Sequence, residues 1–210
     1  MLGKGTLAVR IAEWFMQSDG YRLDGVVPVV PEPSWTDSLI GWAREHDVPW
    51  VETGDWADLP KCEGGSVADL AISVFYDRIL PKSFIDCCGR ILNVHNGPLP
   101  RYRGVSPINW ALKNDERSHG VTIHEITPGI DDGPIVAQLQ YSIYPEFDEV
   151  NEVYARALEY GWTLFEQTMP LLGEIEARPQ DEGQATYYGA VDNERLGERR
   201  TFTRDLSRNE

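Results

Sequence analysis

Residues Asp69 to Tyr76 read DLAISVFY, a nearly continuous apolar run of strand length. A run of this kind suits a strand buried on both faces, as in parallel sheets covered by helices. A second short strand, Ile91 to His95, follows across a segment in which Pro81 opens a helix running over Lys82 to Cys88. Further strands are expected at Tyr21–Val30, Val48–Val51, Val121–Ile126 and Ile135–Ile143. Pro28 points to an edge position or an early end for the first of these. Helices are expected at Thr36–Glu45, Ile108–Lys113 and Asp148–Glu176, with the turn Gly3-Lys4-Gly5 opening another that carries Leu7, Ile11, Trp14 and Phe15 on one face. This alternation predicts an α/β fold with three layers around a mostly parallel sheet. A Gly-x-Gly turn usually follows a strand. Only Met1 and Leu2 precede this one, so the first strand of a Rossmann-like sheet is expected to be missing or truncated. At the other end, Gln184–Val191 and Arg199–Thr203 are expected to pair as a short C-terminal β-hairpin. The division is then a catalytic domain at 1–178 and a hairpin tail at 179–210.

Charge narrows the function. Asp and Glu number 34 against 19 Lys and Arg, a net charge of −15. An acidic chain lacks the basic footprint of a nucleic-acid binder and is repelled by anionic lipid. No apolar run approaches the ~20 residues of a membrane span, and the N-terminus has no signal-peptide pattern. Three cysteines, Cys62, Cys87 and Cys88, show no metal-ligand spacing. The expectation is a cytoplasmic protein with no metal and no membrane or nucleic-acid partner.

The chemistry concentrates in residues 91–140. Asn93 and His95 lie two apart on one strand and so share a face. They end that strand where open α/β sheets bind ligands. A stiff loop follows, Asn96-Gly97-Pro98-Leu99-Pro100-Arg101-Tyr102-Arg103-Gly104, and later an acidic turn, Gly129-Ile130-Asp131-Asp132-Gly133. Taken singly, Asn93 and His95 read as hydrogen-bonded strand-end residues and Asp131 as a turn former. His124 reads either as a core histidine or as a second polar contact. His46 and His119 read as solvated loop residues, Cys87-Cys88 as a structural helix end, and Glu149, Glu152 and Glu159 as a solvated helix face.

Together the segments Asn93-Val94-His95, Leu99 to Gly104, Pro107, Asn109-Trp110, Gly120 to His124 and Asp131-Asp132-Gly133 resemble the formyltransferase family that uses 10-formyltetrahydrofolate. The stretch Phe75 to Pro81 is similar to its folate-contacting segment. The resemblance spans roughly 69–172 and is nearest to the branch that N-formylates nucleotide-linked amino sugars. It implies Asn93, His95 and Asp131 as the catalytic residues. The amide of Asn93 would stabilise charge on the formyl oxygen, His95 would move the amine proton, and Asp131 would orient His95 and favour its charged form. The same resemblance places the folate along Arg78, Ile79 and Leu80, the loop Gly97, Pro98, Leu99 and Pro100, and Thr127, Pro128, Gly129 and Ile130. Gly97-Pro98 departs from the family's more usual Ser-Leu.

The acceptor is expected opposite the folate, at Tyr102, Arg103, Asn109 and Trp110. Trp110 reads equally as core, and Arg103 equally as a loop brace or a diphosphate contact. Arg78, Arg101 and Arg103 are expected to form a local positive patch for two anionic ligands. The implied reaction is formyl transfer to a nucleotide-linked amino deoxysugar such as dTDP-4-amino-4,6-dideoxyglucose. The alternatives are another amine, such as methionyl-tRNA or glycinamide ribonucleotide, or a truncated folate-binding protein without turnover. Charge and the absence of length for a second domain weigh against tRNA. The tail, with Tyr187-Tyr188 and Phe202, suggests a homodimer.

Overall fold

The computed structural model describes residues 1–59 and 65–197, so Cys62, Phe202 and the strand expected at 199–203 lie outside the described residues. The main sheet has six strands: β1 (Leu2–Gly3), β2 (Val27–Pro28), β3 (Ala68–Val74), β4 (Cys88–His95), β6 (Ser118–Glu125) and β7 (Ile135–Ser142). Their spatial order is β2-β1-β3-β4-β6-β7. The pairings β2-β1, β1-β3 and β3-β4 are parallel, whereas β6 runs antiparallel to both neighbours. The β6–β7 connection is too short for the dozen or so residues of a parallel crossover, so those two strands must form a hairpin.

The first strand, expected to be missing or truncated, is present as two residues inside the sheet. Leu2 pairs with Val27 and Ser73, and Gly3 with Pro28 and Val74. Gly3 has φ 151°, and a Cβ on it would lie 2.2 Å from the Val74 carbonyl oxygen. Only glycine lets the chain pass this close to β3 before turning into α1 (Gly5–Gln17). β2 stands at one edge of the sheet and ends at Pro28, so both alternatives that Pro28 raises are met. The strand expected at 48–51 contributes only a bridge from Trp50 to Val26.

Helices cover both faces. On one, α1 buries Leu7, Ala8, Ile11, Ala12 and Phe15. It packs against α5 (Val150–Thr168), beside α2 (Leu39–Glu45) and α4 (Pro107–Lys113). Trp14, Phe15 and Phe165 meet edge to face at 5.2–5.8 Å. Such ring pairs contribute about 0.5–1.5 kcal/mol each beyond area burial. On the other face, α3 (Lys82–Ile85) and a 3-10 turn at Trp56–Asp58 cover a smaller core of Leu2, Val27, Ala71, Leu80, Phe84 and Ile91. Alternate residues of β3 and β4 enter the two cores, the burial expected of interior parallel strands.

Several elements are shorter than periodicity predicts. α3 ends at Ile85, so Cys88 opens β4 rather than closing a helix. α5 stops at Thr168, and Met169–Leu171 forms a 3-10 turn around Pro170, which cannot extend the helix. The acidic start of α5 is not simply solvated. Glu149 and Glu152 form a reciprocal capping box, and Glu159 pairs with Arg10 at 2.9 Å. Among the described tail residues, β8 (Tyr187–Tyr188) pairs in parallel with β5 (Arg103–Gly104). The tail thus binds the loop after β4.

Candidate active site

Ile91, Asn93 and His95 share one face of β4, and the last two stand at its C-terminal end. The antiparallel register of β6 sets His124 opposite Asn93 and Thr122 opposite His95. The turn after β6 returns Asp131 to the same point. Its backbone is left-handed, φ 51°, which Asp tolerates better than most residues.

Four side chains converge there. Asn93 Nδ2 lies 3.1 Å from His124 Nε2 and 3.5 Å from Asp131 Oδ1. His95 Nδ1 faces Asp131 Oδ2 at 3.5 Å, and His124 Nε2 faces Asp131 Oδ1 at 3.4 Å. Gly104 N–H donates to Asp131 Oδ2 at 2.8 Å. Backbone carbonyls assign the imidazole tautomers, because a carbonyl can only accept. His95 Nε2 is 2.8 Å from Tyr102 O and therefore carries a proton. His124 Nδ1 is 2.9 Å from Glu125 O and does likewise, leaving its Nε2 to accept from Asn93. Burial pushes the Asp131 carboxyl up. Once the two rings are protonated, the charge of His95 and the hydrogen bond and charge of His124, together with the Gly104 N–H, outweigh burial and hold it well below the ordinary carboxylate range.

The loop that carries this geometry is held from beneath by β6 and β7. Thr122 Oγ1 donates to Gly97 O (2.7 Å) and accepts from Leu99 N (3.2 Å) and Gln138 Nε2 (2.8 Å). Gln138 Nε2 also donates to Leu99 O at 2.8 Å. A Cβ on Gly97 would stand 2.7 Å from His95 Nε2. The glycine that departs from the family's usual serine is thus the residue against which His95 rests. Tyr102, in a left-handed conformation at φ 63°, turns its carbonyl toward His95.

The expected acceptor residues separate. Tyr102 is buried. Its hydroxyl donates to Glu116 Oε1 at 2.7 Å, and its ring stacks on Tyr188. Burial is the main reason its pKa is pushed up to about 12. Trp110 is also buried, stacked on Tyr188 at 4.3 Å between centroids. Arg103 is the brace rather than a free cation: its guanidinium donates to Gln180 Oε1 (2.8 and 3.0 Å) and to Glu182 (2.7 and 3.0 Å). Asn109 is different, for it lines an open cavity of about 960 Å³ with Trp35, Tyr154, Lys113, Asn151 and Asn193. Asn93, His95 and Asp131 do not line that cavity. The positive patch is not formed, because Arg78 pairs with Asp55, Arg101 with Glu116 and Arg103 with Glu182.

On the expected folate side, Leu80 is buried in the smaller core with Ile126 against it, joining the 78–80 segment to the root of the 127–130 turn. Ile79 and Ile130 stay exposed, at 73% and 43%, as do Pro128 and Gly129. The Thr127 hydroxyl bonds Asp132. Sequence reasoning left His124 undecided because register across a sheet is not written in either strand. His119 is corrected outright: it is fully buried in β6 and not solvated. Among the described residues no group of three or more His, Cys, Asp or Glu is placed to hold a metal ion. No helix there is long and apolar enough to cross a membrane.

Comparison with known proteins places the chain in a family and a fold. The methionyl-tRNA formyltransferase of Thermosynechococcus vestitus is 36% identical, over 88% of this chain and 59% of that protein. That of Deinococcus radiodurans is 38% identical over 58% of this chain and 38% of that one. The chain thus spans about 40–60% of the length of these relatives. Among solved structures, a sugar 3N-formyl transferase crystallised with dTDP and 5-N-formyl-THF superimposes with a TM-score of 0.78 at 24% identity, over 91% of this chain and 69% of that one. The N-formyltransferase of Helicobacter canadensis, in complex with folinic acid and dTDP-3-aminofucose, gives 0.77 at 24% identity, over 91% and 70%. At that identity the likeness establishes the fold. Residues 65–169, half of the chain and the half that carries Asn93, His95, His124 and Asp131, match the formyl transferase family itself, and the chain belongs to it.

Proposed function

We propose that the protein transfers a formyl group from 10-formyltetrahydrofolate to the amine of a nucleotide-linked amino deoxysugar, with Asn93, His95 and Asp131 as its catalytic residues. The observation that carries the reading is the convergence of Asn93, His95 and Asp131 within 3.5 Å contacts at one strand end. The folate supplies a formyl group carried on nitrogen, ready for attack by an amine. The exposed side chains of Ile79 and Ile130, beside exposed backbone at Pro128 and Gly129, fit a flat ring system that needs apolar cover and a few polar contacts.

Asn93 donates to the formyl oxygen as negative charge develops there, exchanging its long 3.5 Å contact with Asp131 for that oxygen. His95 receives the proton of the attacking amine at Nδ1, since its Nε2 already donates to Tyr102. Asp131, ionised at neutral pH, stabilises the imidazolium so formed and holds its ring. As the new C–N bond forms, the old one to the folate nitrogen breaks, and the same proton passes to that nitrogen.

The sugar-nucleotide half rests on the cavity beside Asn109. Trp35 and Tyr154, 5.7 Å apart, offer aromatic faces, and Asn109, Asn151 and Asn193 offer amides, a lining suited to the nucleoside end of the acceptor, whose amine must reach Asn93 and His95 outside the cavity. The −15 charge and the paired arginines disfavour a polyanion. The second reading, formylation of methionyl-tRNA, is favoured by the higher identity to the tRNA enzymes, 36% against 24%. Location in the cytoplasm and assembly as a homodimer belong to the same proposal. The test is incubation with 10-formyltetrahydrofolate and a panel of dTDP- and UDP-linked amino sugars, glycinamide ribonucleotide and methionyl-tRNA. Formylation of an amino sugar is expected; formylation of methionyl-tRNA alone would overturn the acceptor assignment.

A further inference from the structure

His119 has no solvent exposure, yet it takes no part in the cluster around Asp131. Its Nε2 lies 2.8 Å from the carbonyl oxygen of Asn96, the residue directly after His95. A carbonyl only accepts, so Nε2 carries the proton. Nδ1 has no partner among the described residues. The ring stands edge-on to Tyr102, 5.8 Å between centroids, on one side and to Tyr141, 5.9 Å, on the other. Tyr102 is the residue whose carbonyl takes the His95 Nε2–H. One buried imidazole therefore touches both ends of the arch that fixes His95: the carbonyl that follows it in sequence, and the ring of the residue whose carbonyl accepts its Nε2–H hydrogen bond.

We propose that His119 is a positioning residue for formyl transfer, holding the Asn96–Tyr102 arch so that His95 presents Nδ1 to Asp131. This rests on the assignment of His95 to proton transfer. Several features make the role specific. The outer part of the loop, Gly97 and Leu99, has its own ties to Thr122 and Gln138, so loss of His119 releases the inner part first. The next residue, Gly120, lets Pro98 pack directly on β6, since a Cβ there would stand 3.2 Å from Pro98 Cβ. A second proton on Nδ1 would find no partner, and burial accordingly lowers the His119 pKa to about 4, keeping a single N–H on the ring.

Ring-15N spectra of the four histidines test this without any acceptor. The wild-type protein is expected to show His119 as the Nε2–H tautomer at pH 7, its ring proton protected from solvent exchange. His119→Phe, which keeps the packing ring but not the N–H, is expected to move the His95 ring resonances. His119→Gln, which keeps a donor, is expected to leave them nearer wild type. In turnover, His119→Phe is expected to lower kcat at least tenfold while KM for 10-formyltetrahydrofolate stays within threefold, and His119→Gln to recover most of kcat. A folded His119→Phe variant with unmoved His95 resonances and kcat within twofold of wild type would overturn the proposal. If that variant does not fold, the wild-type tautomer decides, and an Nδ1–H tautomer overturns it. If no amine in the panel is formylated, the acceptor reading fails while the spectra still judge His119.

Discussion

Replacing Asp131 by Asn keeps the shape of the side chain and removes its charge. The side chain is 15% exposed and serves His95, His124, Asn93 and the Gly104 N–H at once. Once His95 takes up the amine proton in turnover, Coulomb's law at 3.5 Å with an effective dielectric of about 20 gives a gross attraction of roughly 5 kcal/mol. In the resting state the substitution weakens instead the hydrogen bond from the Gly104 N–H, and hydrogen bonds to charged groups contribute a net ~1.5–3 kcal/mol. The variant should therefore be less stable by about 2 kcal/mol at pH 7, a fall in Tm of about 4–8 °C for a domain of this size. The folded state holds the Asp131 carboxyl below its ordinary value and so binds its proton more weakly than the unfolded chain does. The contribution is thus fully present above about pH 4, and it fades as the pH falls from there through the lower folded value. Urea unfolding of both proteins at pH 7 and again near pH 3 checks this, with the gap between them expected to narrow in acid. Turnover should fall about 10³-fold, ~4 kcal/mol of lost stabilisation, because the imidazolium of His95 loses its counter-charge. Equal stability at pH 7, a gap that does not narrow in acid, or kcat within tenfold of wild type would each refute the reasoning.

Four further outcomes are expected. Asn93→Ala removes a single preorganised donor worth ~3 kcal/mol and should lower kcat about 10²-fold with KM for the folate little changed, read by steady-state kinetics. Gly97→Ala places a methyl 2.7 Å from His95 Nε2 and should displace that ring, lowering kcat at least tenfold, with a shift of its resonances as the direct check. Arg103→Met removes the tie to Gln180 and Glu182 and should cost about 2 kcal/mol in thermal unfolding, with acceptor KM within twofold, the reverse of what a diphosphate contact would give. Thr122→Val leaves Gly97 O and Leu99 N without their buried partner and should cost about 2–3 kcal/mol and raise KM for 10-formyltetrahydrofolate, measurable by unfolding and by titration.

The places where sequence and structure part company have particular causes. The first strand is hard to read because two residues carry no periodicity. Its existence depends on Val27 and Ser73 arriving on either side of Leu2. Charge was misleading locally. Arg78, Arg101 and Arg103 look like an anion site in sequence, but Asp55, Glu116 and Glu182 reach them across separations of 15 to 79 residues. His119 and His124 lie five apart on one strand, and both are buried. Their odd separation sends them to opposite faces, and the pairing of β4 with β6 then sets one against Asn93 and the other beneath the loop.

The sequence by itself determined the α/β layering, because strands buried on both faces and amphipathic helices announce themselves through local periods of two and 3.6 residues. It also determined the strand that carries the candidate site, since Asn93 and His95 share a face by spacing alone, and the Asp131 turn by the ordered motifs around it. What the tertiary structure decided was every contact across the sheet: the interior place of β1, the partnership of His124 with Asn93, the bracing role of Arg103 and the burial of Trp110 and Tyr102 under Tyr188. Those depend on register and on which distant segment closes over the site. Side-chain period fixes which face a residue occupies, but not what stands opposite it.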